Sequence, residues 1–348
     1  MSRRGLTLMM AGVLTLALGT VGALLPVPYV ALSPGPTENT LGDLKGKPVI
    51  TISGHQTYPT SGKLSLVTVA YQGGPGARID LLTALRGWMD PTVAVVPEET
   101  IFPRSVSVKE VEQQNTQEMT GSQQDATAAA LTELKIPVEA VVPVASTQQG
   151  RPADGKLKAG DGITEIDGAP VRSVEEVSAA VRRHKPGEQV EIGFVRDGRP
   201  MTVRLGTVAG KDGPIVGVMM GNPRFTFPFK VTVNPGEVGG PSAGLMFALG
   251  IYDKLTPGPL TGGKSIAGTG TITADGKVGP IGGIQQKMVG ARRAGATIFL
   301  TPGDNCDDAV PSAPDGLRLV KVTTMSEAVR AIDALRTGQG AVPACAAR

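Results

Sequence analysis

The sequence predicts a mixed α+β protein carried behind an N-terminal transmembrane helix. Three observations support that expectation. Residues 6–25 form an apolar run without a charge, residues 137–208 hold a compact strand-rich stretch, and helix and strand alternate from 242 to 335. With 348 residues the chain is long enough for two domains with good cores. Its net charge of +3 is close to balanced, and only 3% of its residues are aromatic. No basic run is interleaved with aromatics, so no nucleic-acid partner is expected.

Arg3 and Arg4 precede the apolar run. As a helix, that run spans about 30 Å, enough to cross a bilayer. The two arginines favour a cytoplasmic N-terminus, which places the rest of the chain outside the membrane. A cleaved signal peptide is the alternative. No A-x-A site directly follows the run, and Pro26 and Pro28 disfavour an ordinary cleavage context. A single-pass anchor in the cell membrane, over residues 1–27, is therefore the preferred reading. Cys306 and Cys345 form an even pair, which in an exported domain reads as a disulfide pinning the C-terminal tail. Its expected contribution is ~3–4 kcal/mol. Two cysteines and two histidines, with no H-E-x-x-H, build no zinc site, and neither metal nor cofactor is expected.

In chain order, Ser33-Pro34-Gly35-Pro36 reads as a stiff spacer leaving the membrane. Residues 49–52 and 63–69 alternate with the strand period, and 78–88 reads as a helix closed by Asp90-Pro91. Residues 122–135 are rich in Ala and Leu, and Pro137 stops that helix. In the compact stretch, 141–144 and 161–168 are strands. Ser173 caps a helix with Glu175 and Glu176 in its first turn, and 190–195 and 201–205 flank the hairpin signal Asp197-Gly198. The unit closes near 208–214. The last third alternates: helices at 242–253, 285–294 and 326–335, with extended segments at 268–274, 297–300 and 317–322.

Gly258-Pro259-Leu260-Thr261-Gly262-Gly263-Lys264-Ser265 matches a phosphate-binding loop letter for letter. Such a loop needs a strand before it and a helix after it. Here a helix precedes, Pro257 and Pro259 interrupt, and Ile266-Ala267-Gly268-Thr269-Gly270 is a poor helix start, so no nucleotide is expected. Gly240-x-Ser242-x-Gly244 matches a hydrolase nucleophile elbow, which requires a downstream histidine. His55 and His184 both lie upstream.

Ser242 opens a segment that is apolar on every side, so its hydroxyl belongs at the N-terminus of a buried helix. Backbone groups around Gly240, Pro241 and Ala243 would support an oxyanion there. The plainer reading of a lone serine after a proline turn is an N-cap. Without histidine, a base would be a desolvated lysine. Lys254, Lys264 and Lys277 flank polar turns, whereas Lys287 shares a helical stripe with Ile284, Met288 and Ala291, leaving Gln285, Gln286 and Arg293 outside. Two readings of Lys287 remain open: a buried base, or a lysine whose stem packs while its ammonium reaches water.

Two resemblances extend this reading. The run Gly155-Lys156-Leu157-Lys158-Ala159-Gly160-Asp161-Gly162-Ile163-Thr164-Glu165-Ile166-Asp167-Gly168, then Val171 and the Ser173 helix, resembles a PDZ domain over residues 137–208. That likeness implies a peptide groove on Ile136, Val141, Val142 and Val144 beside the Ser173 helix. Gly240-Pro241-Ser242-Ala243-Gly244, Thr269-Gly270-x-Ile272-Thr273, Gly276-x-Val278-x-Pro280-Ile281-Gly282-Gly283-Ile284-x-x-Lys287 and Ala291-x-Arg293-Ala294-Gly295 together resemble the proteolytic domain of Lon. In Lon proteases the serine matching Ser242 is the nucleophile, the lysine matching Lys287 is the general base, and the threonine matching Thr269 orients that lysine. The chain departs from the family with Gly239-Gly240 for Asp-Gly, and with Thr271 for Glu.

The resemblance implies a Lon-type domain split around an inserted PDZ domain: 28–136, then the PDZ domain at 137–208, then the catalytic part at 209–348. It further implies an ATP-independent, membrane-anchored serine endopeptidase acting on extracytoplasmic or membrane-associated proteins. A ring-shaped homo-oligomer belongs to the same expectation. The rival is a catalytically silent PDZ scaffold that tethers partners at the membrane.

Overall fold

The computed structural model describes residues 3–103 and 106–346. Helix α1 (Arg3–Ala23) contains the segment Arg4–Ala23, of mean hydropathy 1.8, none of which is buried against protein. Met10, Leu14, Leu16 and Val21 are all exposed, so protein packing does not account for its apolar surface.

After α1 come β1 (Tyr29–Asn39), β2 (Ile50–Ser53), β3 (Lys63–Gly73), α2 (Leu81–Met89), β4 (Ala94–Pro97) and α3 (Val108–Glu133). The middle of the chain supplies β5 (Glu139–Thr147), β6 (Gly162–Ile166), α4 (Val174–Arg182), β7 (Gln189–Arg196), β8 (Arg199–Gly206), β9 (Val218–Met220), β10 (Arg224–Thr226) and β11 (Lys230–Val233). The last third holds α5 (Gly244–Leu255), β12 (Ser265–Gly268), β13 (Thr271–Ile272), β14 (Val278–Gly279), α6 (Ile284–Arg293), β15 (Ile298–Pro302), β16 (Arg318–Val322) and α7 (Met325–Thr337).

One six-stranded sheet joins the two ends of the chain in the order β16-β15-β12-β3-β1-β4. β12 runs parallel to both β3 and β15, while β1 is antiparallel to β3 and β4. Strand alternation assigns the two faces. Leu64, Leu66, Ile266, Leu300 and Val320 point into the core around α5, whereas Val67, Ala267 and Phe299 pack under α6 with Met288 and Ala291. In α5, Leu245, Met246, Phe247, Ala248, Leu249 and Ile251 are all fully buried. Each large apolar side chain buried there contributes ~1.5–3 kcal/mol.

The middle segment forms a second sheet, β8-β7-β6-β5-β9, with β10 also paired to β5. It encloses its own core of Val142, Val144, Ile163, Ile166, Ile192 and Leu205. This sheet does not end near residue 208. The chain returns, and residues 218–226 run back along β5.

α3 starts at Val108, well before residue 122. Ser107 and Glu110 form a capping box that fixes its start. The first half is polar and mostly exposed, so no apolar period marks it. The buried residues, from Met119 through Leu131, lie in its second half, which packs on α5.

Candidate active site

The loop that carries Ser242 is fixed from three sides. Gly240 has φ +79°, a left-handed conformation suited to glycine, and its N–H donates to Asn115 C=O at 3.0 Å. Ser122 Oγ, projecting from α3, donates to Pro241 C=O at 3.0 Å. The Ser242 carbonyl accepts from Gly270 N–H at 2.9 Å and from Thr269 Oγ1 at 3.0 Å. The first helical residue is Gly244 and the N-cap is Ala243, with no side-chain cap bond. Ser242 therefore precedes the helix rather than capping it, and its hydroxyl is not used as a cap. Gly244 is required by close approach, since a Cβ there would stand 2.8 Å from Ser122 Oγ and 2.9 Å from Ile272 Cγ2.

The backbone N–H groups free to donate beside Ser242 differ from the sequence expectation. The Gly240 N–H is already bonded to Asn115, and Pro241 has no N–H to give. Among the described residues, the N–H groups of Ser242 and Ala243 have no hydrogen-bond partner. They are the donors left at the start of α5.

Lys287 lies in α6 and is 4% exposed, buried with Ile284, Met288 and Ala291. Its side chain is almost wholly buried and its amine bonds inward to Thr269, which argues against the snorkelling alternative. Desolvation alone lowers its pKa from the ordinary lysine value to about 8. Nζ donates to Thr269 Oγ1 at 3.2 Å, and the Thr269 hydroxyl donates onward to the Ser242 carbonyl. One threonine thus bridges the amine to the serine backbone. Among the described residues, no hydrogen bond joins Ser242 Oγ to Lys287 Nζ. Gln286, expected on the outer face, is also buried, because α6 lies across β1 and β3.

His55 stacks at 4.4 Å on Phe229, and its Nδ1 lies 3.0 Å from Gln56 C=O. His184 pairs with Asp167 at 3.2 Å in the second sheet unit. Neither histidine bonds to Ser242. The phosphate-loop look-alike lies between α5 and β12, so a strand follows it where that motif needs a helix. Cys306 and Cys345 are disulfide-bonded, with Cα atoms 5.2 Å apart, and Ala344 bridges to Val320 on the sheet.

Both edges of the strand on which the peptide groove was expected are paired. Val142 and Pro143 of β5 pair with β6, while the other edge of β5 is taken by β9 and β10. Val141, Val142 and Val144 therefore offer no open edge, and Ile136 packs against the α5 core. A cavity of about 130 Å³ lies instead between α4 and residues 214–220, lined by Val177, Val181, Ile163, Ile192 and Val216. The outer edge of β9 is unpaired beside it. A larger cleft of about 710 Å³ runs between α3, the start of α4, Pro241 and residues 271–274.

Sequence reasoning missed Ser122, Asn115 and Asp125. Ser122 stands in the middle of α3, and a single serine before an alanine run carries little signal. Asp125 lines the large cleft, and its pKa is pushed up to about 7 by burial, then by the nearby carboxylates of Glu175 and Asp275.

Residues 106–207 match the family model of the PDZ domain, and residues 230–334 match that of the Lon protease (S16) C-terminal proteolytic domain. Lon protease 1 of Sorangium cellulosum is 41% identical over 93 residues, covering 26% of this chain and 11% of that protein. Lon protease 1 of Bacillus subtilis is 36% identical over 91 residues, covering 25% of this chain and 12% of its own length. The matched stretch thus spans about a tenth of these relatives. The crystal structure of the PDZ domain of an SdrC-like protein from Listeria innocua is 33% identical, with a TM-score of 0.22. That match covers 23% of this chain and 92% of that one.

Proposed function

We propose, for a chain that carries a Lon-type C-terminal proteolytic domain and a PDZ domain, a membrane-anchored serine endopeptidase working through Ser242 and Lys287. The observation that carries this reading is the buried amine of Lys287, bonded to the threonine that holds the Ser242 carbonyl. An amine with a pKa of about 8 is neutral in a useful fraction of molecules near neutral pH, and it can act as a base. Substrate binding would close the remaining gap, as catalytic hydrogen bonds often tighten only in the bound complex.

Neutral Lys287 takes the Ser242 proton as Oγ attacks the peptide carbonyl carbon. The N–H groups of Ser242 and Ala243 stabilise the resulting oxyanion. Lys287 then protonates the leaving amine, and water, deprotonated by the same lysine, hydrolyses the acyl-enzyme. Thr269 keeps one N–H of Lys287 occupied and so directs the lone pair. The cleft beside Pro241 is the path for the extended substrate. A substrate segment would add to the open edge of β9 against α4, which places recognition on residues 214–220 rather than on β5.

We further assign α1 as a single-pass anchor with a cytoplasmic N-terminus. The bonded Cys306–Cys345 pair fits an oxidising compartment on the far side. A ring of copies follows only from the likeness to Lon. The domain division, a PDZ domain inserted in a split protease domain, is supported by a sheet that draws strands from both sides of the insertion.

Ser242→Ala and Lys287→Ala each abolish casein cleavage while leaving the circular dichroism unchanged. Lys287→Arg is equally inactive, because guanidinium holds its proton. Full activity in any of these purified variants would remove the pair. A serine-directed phosphonate should label Ser242. Absence of labelling, with a peptide bound at β9, would favour the silent scaffold.

A further inference from the structure

Helix α2 is built inside out. Its buried residues are small, Ala84 and Gly87, and a Cβ on Gly87 would stand 2.5 Å from Val95 Cγ2. Its outward stripe is large and apolar: Leu82, Leu85 and Met89 are exposed, with Trp88 on one flank and Arg86 on the other. A helix facing only water carries the opposite pattern. The helix is nonetheless firmly placed. Asp80 caps it, accepting from Thr83 N–H at 2.7 Å, and the Trp88 ring meets Tyr29 edge-on at 5.5 Å.

Two backbone bonds fasten this helix to the end of α1. Val27 N–H donates to Ile79 C=O at 2.9 Å, and Leu81 N–H donates to Leu25 C=O at 3.0 Å. The first turn of α2 is therefore one hydrogen bond from the point where the chain leaves the apolar helix. Leu24 and Leu25, also exposed, continue the apolar surface from one helix towards the other.

We propose that the outward face of α2 lies in the interfacial layer of the bilayer that α1 crosses. Leu82, Leu85 and Met89 enter the upper acyl region, while Trp88 and Arg86 sit at headgroup level, as amphipathic side chains do at membrane interfaces. Lipid is the occupant, rather than a second copy of the chain, because the face is continuous with the membrane helix and carries an interfacial tryptophan and arginine on its flanks. Two contacts with the bilayer, one spanning and one lying flat, fix the tilt and rotation of the proteolytic domain above it. This inference rests on the proposed anchoring by α1.

Trp88 is the only tryptophan in the chain, so its fluorescence reports on this face alone. The test uses the full chain in vesicles of phosphatidylcholine and phosphatidylglycerol, with lipids brominated either near the headgroup end of the acyl chains or near their methyl ends. Blue-shifted emission is expected, quenched more strongly by the shallow bromines than by the deep ones. The triple variant Leu82→Gln, Leu85→Gln, Met89→Gln should lose this quenching and still float with the vesicles. Wild-type chain that floats while Trp88 stays unquenched overturns the inference and leaves the anchor intact. Emission that is blue-shifted yet unquenched assigns the face to another copy and overturns it equally. Chain that fails to float removes the anchor and this proposal together.

Discussion

The amine of Lys287 is costly to charge, and under the proposed mechanism that cost bears on both activity and stability. Its folded pKa of about 8 lies below the ordinary value of 10.5 because desolvation disfavours the ammonium. Between those two values the unfolded chain holds more protons, so stability rises with pH through that window. Below about 8 the folded protein carries the full penalty of a buried charge, on the order of 3 kcal/mol. Two outcomes follow. The kcat/KM for casein should climb as pH rises through about 8 and then level off. Lys287→Met should be inactive yet melt higher than wild type at neutral pH. A flat pH profile, or a melting temperature lowered by Lys287→Met, contradicts this account.

The element that positions the Ser242 loop is α3, packed on the start of α5. Ser122→Ala removes the bond to the Pro241 carbonyl, for ~1 kcal/mol of stability. It should lower kcat while leaving the pH midpoint in place, since Lys287 is untouched. Gly244→Ala is expected to be worse, although alanine favours a helix over glycine. The new Cβ would stand 2.8 Å from Ser122 Oγ and 2.9 Å from Ile272 Cγ2, and overpacking of this kind costs ~1–3 kcal/mol. Thermal melts and casein assays of the two single variants and the double variant test this. Removing the Ser122 hydroxyl should recover part of the Gly244→Ala loss, because one of the two clashes disappears.

Across the whole molecule, the cleft between α3 and the start of α4 carries a titrating carboxyl. Asp125 on α3 faces Glu175 at the start of α4 and Asp275 before β14, and Lys277 pairs with Asp275. Burial first, then the two carboxylates, pushes Asp125 up to about 7. A raised folded pKa means that the contribution is fully present below the unfolded value of 3.8 and is lost as pH rises through about 7. This contact therefore weakens on the alkaline side, where Lys287 becomes neutral. Asp125→Asn should raise the melting temperature at pH 8 and change it little in acid. Hydrogen exchange along α3 and the start of α4 should slow in that variant only on the alkaline side. Equal effects at both pH values would show that ionisation is not involved.

The sequence by itself determined the class of the fold and marked the candidate residues of the site. Ser242 and Lys287 stand out through local patterns, a Gly-Pro-Ser turn before an apolar helix and a lysine on an apolar stripe, whereas Thr269 is marked only by the resemblance to Lon. The helix–strand alternation of the last third is equally local. Tertiary structure decided which groups are free to act. The Gly240 N–H is taken by Asn115, β5 has no open edge because residues 218–226 fold back onto it, and the first half of α3 is a helix without an apolar face. Each of these depends on a partner distant in sequence, or on a cap rather than a periodicity, so no window of neighbouring residues could have shown it. The inverted face of α2 has the same origin, since only the fold puts its small residues inside.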